Sequence, residues 1–319
     1  MPLLAINHHY YRESGTGRGI YPTTPRMLAE EVLKIRAAGW RIGIEADIFA
    51  FLCGGLAADD KVAILTFDDG LAEQMGALAL LEALGASAIF YVPTAPIMGR
   101  FVLDVHKLQM IRSKVEDAEI AIELDKIFSF DNKDFDDDLL AIQYRYDDEL
   151  GRRIKYFLNF VLEDNERLAW TTEYFARLFG DEREVAASLY MSSDDLCTLS
   201  LKSLLGSHAH SHLPLATLEM DRMVHELAHS RRLIEQTTTS FPAGVSYPFG
   251  GKSAVGHEVF DCASSCGYAY GFTMERGINE LPEKANPMAL RRIDVNDLDR
   301  WLLLEADANE RLGENDSND

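Results

Sequence analysis

The chain has 319 residues, 47% hydrophobic and 26% charged, enough apolar content for a sizeable soluble core in one large α/β domain with an insertion or in two small domains. Its 31 basic and 52 acidic residues leave a net charge of −21, a field that repels nucleic acid and anionic membranes, so neither is expected as a partner. Four scattered cysteines without C-x-x-C spacing read as small thiols, and no apolar run reaches the ~20 residues of a membrane span. MPLLAINHHYY has neither the basic start nor the cleavage site of a signal peptide, so the protein is expected in the cytoplasm.

In chain order, LLAINHH (3–9) reads as a first strand. Thr24 and Pro25 form an N-cap and N1 pair that opens a helix with apolar positions at Leu28, Val32, Ile35 and Ala38, stopped by Gly39. WRIGI (40–44) is a short strand and VAILTF (62–67) a continuous apolar one. A helix over 71–84 and the strand SAIFYV (87–92) follow. Strand, helix and strand with short connections predict a parallel sheet covered on both faces.

Residues 100–190 then show helical periodicity and almost no strand signal, and read as a helical insertion. Its acidic knot, DNKDFDDD (131–138), lacks the glycine and terminal glutamate of a calcium loop and reads as a solvated turn. Alternation resumes with SLLGSHA (203–209), a helix over 217–236, GVSYPF (244–249), a helix over 255–266, YAYGFTM (268–274) and ALRRIDV (289–295). Seven or eight strands with intervening helices predict a distorted (β/α) barrel with chemistry at the C-terminal strand ends. One barrel domain is expected over 1–305, interrupted at about 100–190, with a disordered acidic tail over 306–319.

Three motifs fall at such strand ends: TFDDG (66–70), GSHAHSH (206–212) and SYPFG (246–250). One carboxylate and two imidazoles make an N/O ligand set suited to a divalent metal such as zinc, with positions left for water and substrate. The second carboxylate is then free to act as a general base. Asp68 and Asp69 would point to opposite faces of a regular strand, but a sharp turn at Gly70 lets both reach one cleft. The competing reading makes Asp69 the N-cap of a helix beginning near Ala72. Three of nine histidines stand within five residues, and a helical turn would converge His208 and His212 and turn His210 away, which leaves His210 as the second choice.

A second pair, His225-Glu226-Leu227-Ala228-His229, matches the H-E-x-x-H motif of zinc proteases. The stripe Met220, Met223, Val224, Leu227 and Ile234 would turn inward, which puts His225 and His229 on the solvent side with no third ligand downstream. A metalloprotease is therefore the third reading, and the helix reads as barrel cover.

TFDDG, the H-x-x-x-H pair with a serine before its second histidine, and YPFG together resemble the NodB-type polysaccharide deacetylases, carbohydrate esterase family four, in a subgroup with a long helical insertion. The resemblance implies a metal-dependent hydrolase of C–N bonds that removes an acyl group, most simply N-acetyl, from an amino sugar of a polysaccharide or its precursor. It implies Asp69, His208 and His212 as ligands of a divalent metal, zinc by preference, with Asp68 as general base. Pro248 and Phe249 match the third motif, where the N–H of the aromatic residue helps hold the oxyanion.

Two departures stand out. Ser246 replaces the family's usual arginine, and the late leucine-x-histidine source of the general acid is absent. The acid is expected to be His9, with His8 or no residue as the alternatives, and Arg292 or Asp294 is expected to replace the arginine. The departures also raise a second reading, a carbohydrate-binding relative without catalysis; retention of Asp68 favours the enzyme.

Overall fold

The computed structural model describes residues 2–13, 20–99, 101–280, 282 and 285–303, so the expected tail over 306–319 lies outside the described residues. Eight parallel strands form one curled sheet: β1 (Leu3–His8), β2 (Arg41–Ile42), β3 (Val62–Phe67), β4 (Ala88–Val92), β5 (Leu205–Ser207), β6 (Gly244–Ser246), β7 (Tyr270–Phe272) and β8 (Ile293–Asp294). The order across it is β7-β6-β5-β4-β3-β1-β8, with β2 against the start of β3. Between β7 and β8 the ring closes through irregular backbone: Leu290 donates to Gly271 at 2.8 Å, and Thr273 donates to Leu290 at 2.9 Å. The sheet is thus the distorted barrel expected, with its later strands trimmed to two or three residues each.

Strand alternation sorts the side chains into two cores. Leu4, Ile6, Ala63, Leu65, Phe67, Ala88, Phe90 and Val92 face outward and pack with Leu28, Val32 and Ile35 of the helix Pro25–Ala37. That helix starts as its sequence requires, with Thr24 Oγ1 accepting the Met27 N–H at 3.2 Å. Leu3, Ala5, Val62, Ile64, Ile89, Tyr91, Tyr270 and Phe272 fill the interior. The aromatic filling needs room, and a Cβ on Gly206 would lie 2.3 Å from the Tyr91 ring. The same parity aims Asn7, Asp68, Ser246 and Arg292 inward, one step beyond the apolar filling.

Residues 104–189 are helical throughout their regular elements, from Asp104–Arg112 to Glu182–Leu189. They bury their own cluster, including Ile111, Leu124, Phe157 and Phe175, which reaches the barrel at Tyr10 and Leu71. The acidic knot is solvated, as expected, but links a 3-10 turn over Phe130–Asn132 to the helix Asp137–Gln143, which Asp136 caps by accepting from Leu139 N–H at 3.0 Å.

The helix expected over 217–236 is not one regular helix. It runs as Met220–Val224, a π turn over His225–His229, and Ser230–Thr238. Met223, Leu227 and Ile234 are buried as the stripe requires, but Met220 and Val224 are 49% and 41% exposed while Glu226 is 2% exposed. The apolar stripe drawn with a period of 3.6 therefore misplaces both residues.

Candidate metal centre

At the C-terminal end of β3 the chain leaves the strand through two consecutive left-handed residues, Asp69 at φ 80° and Gly70 at φ 61°. Asp68 keeps the strand's inward direction, and the turn swings Asp69 into the same cleft. A Cβ on Gly70 would meet Val92 Cγ1 at 2.7 Å, so the turn is closed to larger residues. Asp69 caps no helix: the next one, Gln74–Ala83, begins later with no side-chain cap. Gln74 Nε2 donates to the carbonyls of His9 (2.8 Å) and Asp68 (2.5 Å), which ties the ends of β1 and β3 together.

After β5 the backbone is a loop rather than the helical turn expected. Ala209 and His212 lie in the left-handed region at φ 58° and 56°, a cost of about 1–2 kcal/mol for each such residue. This conformation returns His212 to the side of His208 and turns His210 away. The rings of His208 and His212 sit 4.9 Å apart edge to face. Their Nε2 atoms lie 3.5 and 3.4 Å from Asp69 Oδ1, which is buried without a hydrogen-bond donor.

These residues fit a divalent cation. One ligand atom from each of Asp69, His208 and His212 lies within 4.8 Å of the others, and all three residues are buried. Tetrahedral zinc with bonds of about 2.0–2.1 Å needs ligand atoms about 3.3–3.5 Å apart, which the two observed separations match. The surroundings prepare the ligands as well. His208 Nδ1 donates to the Ser246 carbonyl at 2.6 Å, which leaves its Nε2 bare toward Asp69. Burial would raise the Asp69 carboxyl, but His106, His208 and His212 hold it well below its ordinary value.

Two partners of the paired carboxylates escape the sequence reading or are only half resolved by it. His106, on the helix Asp104–Arg112 of the insertion, holds the other oxygen of Asp69, with Nε2 3.1 Å from Oδ2. Its Nδ1 meets the Tyr190 hydroxyl at 2.6 Å, and that hydroxyl accepts the Leu103 N–H at 2.9 Å. A lone histidine in a helix has no local pattern that marks it.

The other partner is Arg292, one of two candidates for the missing arginine. Its Nη1 and Nη2 donate to Asp68 Oδ1 at 3.0 Å and Oδ2 at 2.8 Å, and Nη2 also donates to Ser246 Oγ at 2.8 Å. Ser246 Oγ in turn donates to Asp68 Oδ2 at 2.9 Å. Burial favours the neutral acid, yet Arg292 and His208 outweigh it and keep Asp68 below its ordinary pKa. Asp294 instead accepts from Asn296 N–H, at 2.9 Å, and among the described residues makes no hydrogen bond to Asp68.

His8 and His9 part company. His8 faces the outer helices, stacked on Phe67 with ring centroids 4.6 Å apart, and its Nε2 meets Glu31 at 2.8 Å. His9 lines the cleft with Asp68 and Asp69, its Nε2 3.5 Å from Asn7 Nδ2. Phe249 is the central residue of a γ-turn, at φ 61° with Gly250 N–H donating to the Pro248 carbonyl at 2.7 Å. Its ring packs on His212, 5.0 Å away, and on Phe160 of the insertion at 5.5 Å. The cleft, about 740 Å³, is walled on one side by barrel loops and on the other by insertion residues such as Leu108, Tyr144 and Asn159.

Comparison with known proteins agrees with this architecture. Residues 203–271 match the polysaccharide deacetylase family model, a span that holds both candidate histidine ligands and the YPFG turn. The fold is similar to a Streptococcus pyogenes deacetylase, PplD, solved in complex with acetate: 13% identity, 92% of each chain covered, TM-score 0.57. It is also similar to a de-N-acetylase from Aggregatibacter actinomycetemcomitans at 12% identity, covering 92% of this chain and 96% of that one with a TM-score of 0.58. IcaB from Ammonifex degensii aligns at 12% identity over 95% of this chain and 99% of its own, with a TM-score of 0.57. A search of curated sequences finds no match. At these identities the structural likeness is one of fold: the chain has the curled parallel barrel of the NodB-type polysaccharide deacetylases, and its resemblance to them holds in both sequence segment and fold.

Proposed function

We propose that the protein is a metal-dependent deacetylase that hydrolyses the C–N bond of an N-acylated amino sugar, N-acetyl by preference, in a polysaccharide or its precursor. The observation that carries this reading is the pairing of two adjacent carboxylates with different duties: Asp69 turned to two histidines, and Asp68 clamped by Arg292 and facing the same cleft. Asp69, His208 and His212 would hold the metal, with zinc the best match to an N/N/O set. When bound, it would supply Lewis acidity that polarises the acyl carbonyl and makes water acidic enough to react near neutral pH.

The chain's own groups then divide the work. Asp68 stays ionised and accepts the proton of the attacking water. Arg292 and Ser246 take up three of the four lone pairs of that carboxylate, so Oδ1 keeps one for the proton. The water oxygen adds to the acyl carbon, and the Phe249 N–H stabilises the oxyanion that forms. His9 protonates the amine as the C–N bond breaks, which releases carboxylate and free amino sugar. Insertion residues that line the cleft, such as Tyr144 and Asn159, would contact the sugar.

Two other readings lose support. The carbohydrate-binding reading arose from Ser246 and from the missing leucine-x-histidine motif; Arg292 supplies the charge that the serine lacks, and His9 lines the cleft as a candidate for the missing acid. The protease reading needs Glu226 as base, but its carboxylate accepts from the His210 and Ser211 N–H groups at 3.1 and 2.6 Å. Free cysteines such as Cys262 and Cys266 suit the cytoplasm, where a precursor would be the substrate. The proposal is tested by metal analysis of wild type and His208→Ala together with acetate release from a panel of N-acetylated sugars. Wild type is expected to hold metal at the Asp69 site, and the variant to lose that one equivalent together with turnover. Bound metal with no turnover on any sugar would return the carbohydrate-binding reading.

A further inference from the structure

The loop that carries His208 and His212 inward carries His210 outward, and there it meets the π turn of the outer helix. One ligand nitrogen from each of His210, His225 and His229 lies within 4.8 Å of the others. The rings of His225 and His229 stack 4.7 Å apart with planes 19° from parallel, and the ring of His210 stands edge-on to His229 at 4.7 Å. Residues four apart share a face of a helix, and here the run that holds both rings is a π turn. Such turns recur at functional sites.

Each piece of this cluster is held. Thr94 Oγ1 engages His210 Nδ1 at 2.9 Å, which leaves Nε2 as the available nitrogen. Glu226, between the two helix histidines, grips the backbone N–H groups of His210 and Ser211 and fixes the loop against the helix. Among the described residues no hydrogen bond or ion pair engages the ring of His225 or His229.

We propose that His210, His225 and His229 form a second metal site, for a borderline divalent transition ion such as Zn2+, Ni2+ or Cu2+, that pins the loop of the catalytic ligands to the outer helix. Three imidazoles select against Mg2+ and Ca2+, which prefer oxygen. The H-E-x-x-H run thus supplies two ligands and a structural carboxylate rather than a protease centre, and the third ligand comes from upstream.

Equilibrium zinc titration of the purified full chain tests this, with competition by a chelator of known affinity. Wild type is expected to bind two equivalents, His225→Gln/His229→Gln one, and Asp69→Ala one. Both exchanged rings are solvent-accessible, so the fold should tolerate them, which circular dichroism in EDTA verifies. As a second readout, zinc should raise the Tm of Asp69→Ala but not that of Asp69→Ala/His225→Gln/His229→Gln. Failure of the deacetylase centre alone would appear as a wild type that binds one equivalent and loses it in the histidine variant. If the histidine variant binds as many equivalents as wild type, the second site does not exist.

Discussion

Arg292 on the approach to β8 and Asp68 at the end of β3 form a two-pronged ion pair, with N···O distances of 3.0 and 2.8 Å, although 224 residues separate them in the chain. Both side chains are sealed from solvent, Arg292 at 0% and Asp68 at 2% exposure. The guanidinium further donates to Asn7, Thr66 and the Thr273 carbonyl, so four strands converge on one charge. This network both orients the proposed base and closes the irregular side of the barrel.

Arg292→Ala leaves a buried carboxylate without its partner and should destabilise the fold by about 3–5 kcal/mol, measurable by urea denaturation. Arg292→Lys keeps the charge but loses the fork, so it should fold while deacetylation falls at least ~10-fold with bound metal unchanged. Equal activity in Arg292→Lys and wild type would show that bidentate orientation is dispensable.

His106 fixes the oxygen of Asp69 that faces away from the two histidine ligands. His106→Ala should weaken metal binding by about 10–100-fold, the usual effect of removing a partner that orients a ligand. Tyr190→Phe, which removes only the hydroxyl that holds His106 Nδ1, should show a smaller loss of the same kind. Metal competition titration resolves both, and unchanged affinity in His106→Ala would make that contact purely structural.

His9→Ala should cut kcat by about 10²–10⁴-fold on an amide substrate while metal content is retained. An acetyl ester with a phenolate leaving group needs no protonation as it departs, so on that substrate the variant should approach wild type. Equal losses on both substrates would remove His9 from the role of acid.

His8 and Glu31 form a buried pair behind the strand. Burial alone would lower the His8 pKa, but Glu31 and the Thr66 carbonyl raise it above the ordinary 6.5. Because the folded value is the higher one, the pair's contribution is fully present below pH 6.5 and fades as pH rises through the raised value. Tm should therefore decline across that interval in wild type and much less in Glu31→Gln. A variant whose Tm follows the wild-type pH dependence would contradict the assignment.

The features readable from sequence are those packed into short motifs at strand ends, where turn-forming glycines and clustered ligands stand together. Asp68, Asp69, His208 and His212 are such residues, and alternation along β1 also separates the histidines. His8 shares parity with Leu4 and Ile6 of the outer core, and His9 shares it with Leu3 and Ala5 of the interior. Partners joined only by tertiary contact leave no such trace. His106 and the full Arg292 network depend on which distant elements the barrel brings together. The cluster at His225–His229 escaped for another reason: its third histidine, His210, approaches from a different element rather than from the same run.

The most direct test of the account is acetate release and metal content measured side by side for wild type and Asp68→Asn on N-acetylated amino-sugar oligomers. Asn is close in size to Asp and keeps an oxygen for Arg292, but it cannot accept the proton of water. The account predicts metal bound as in wild type and acetate release reduced by at least ~100-fold. Undiminished acetate release from Asp68→Asn would contradict it.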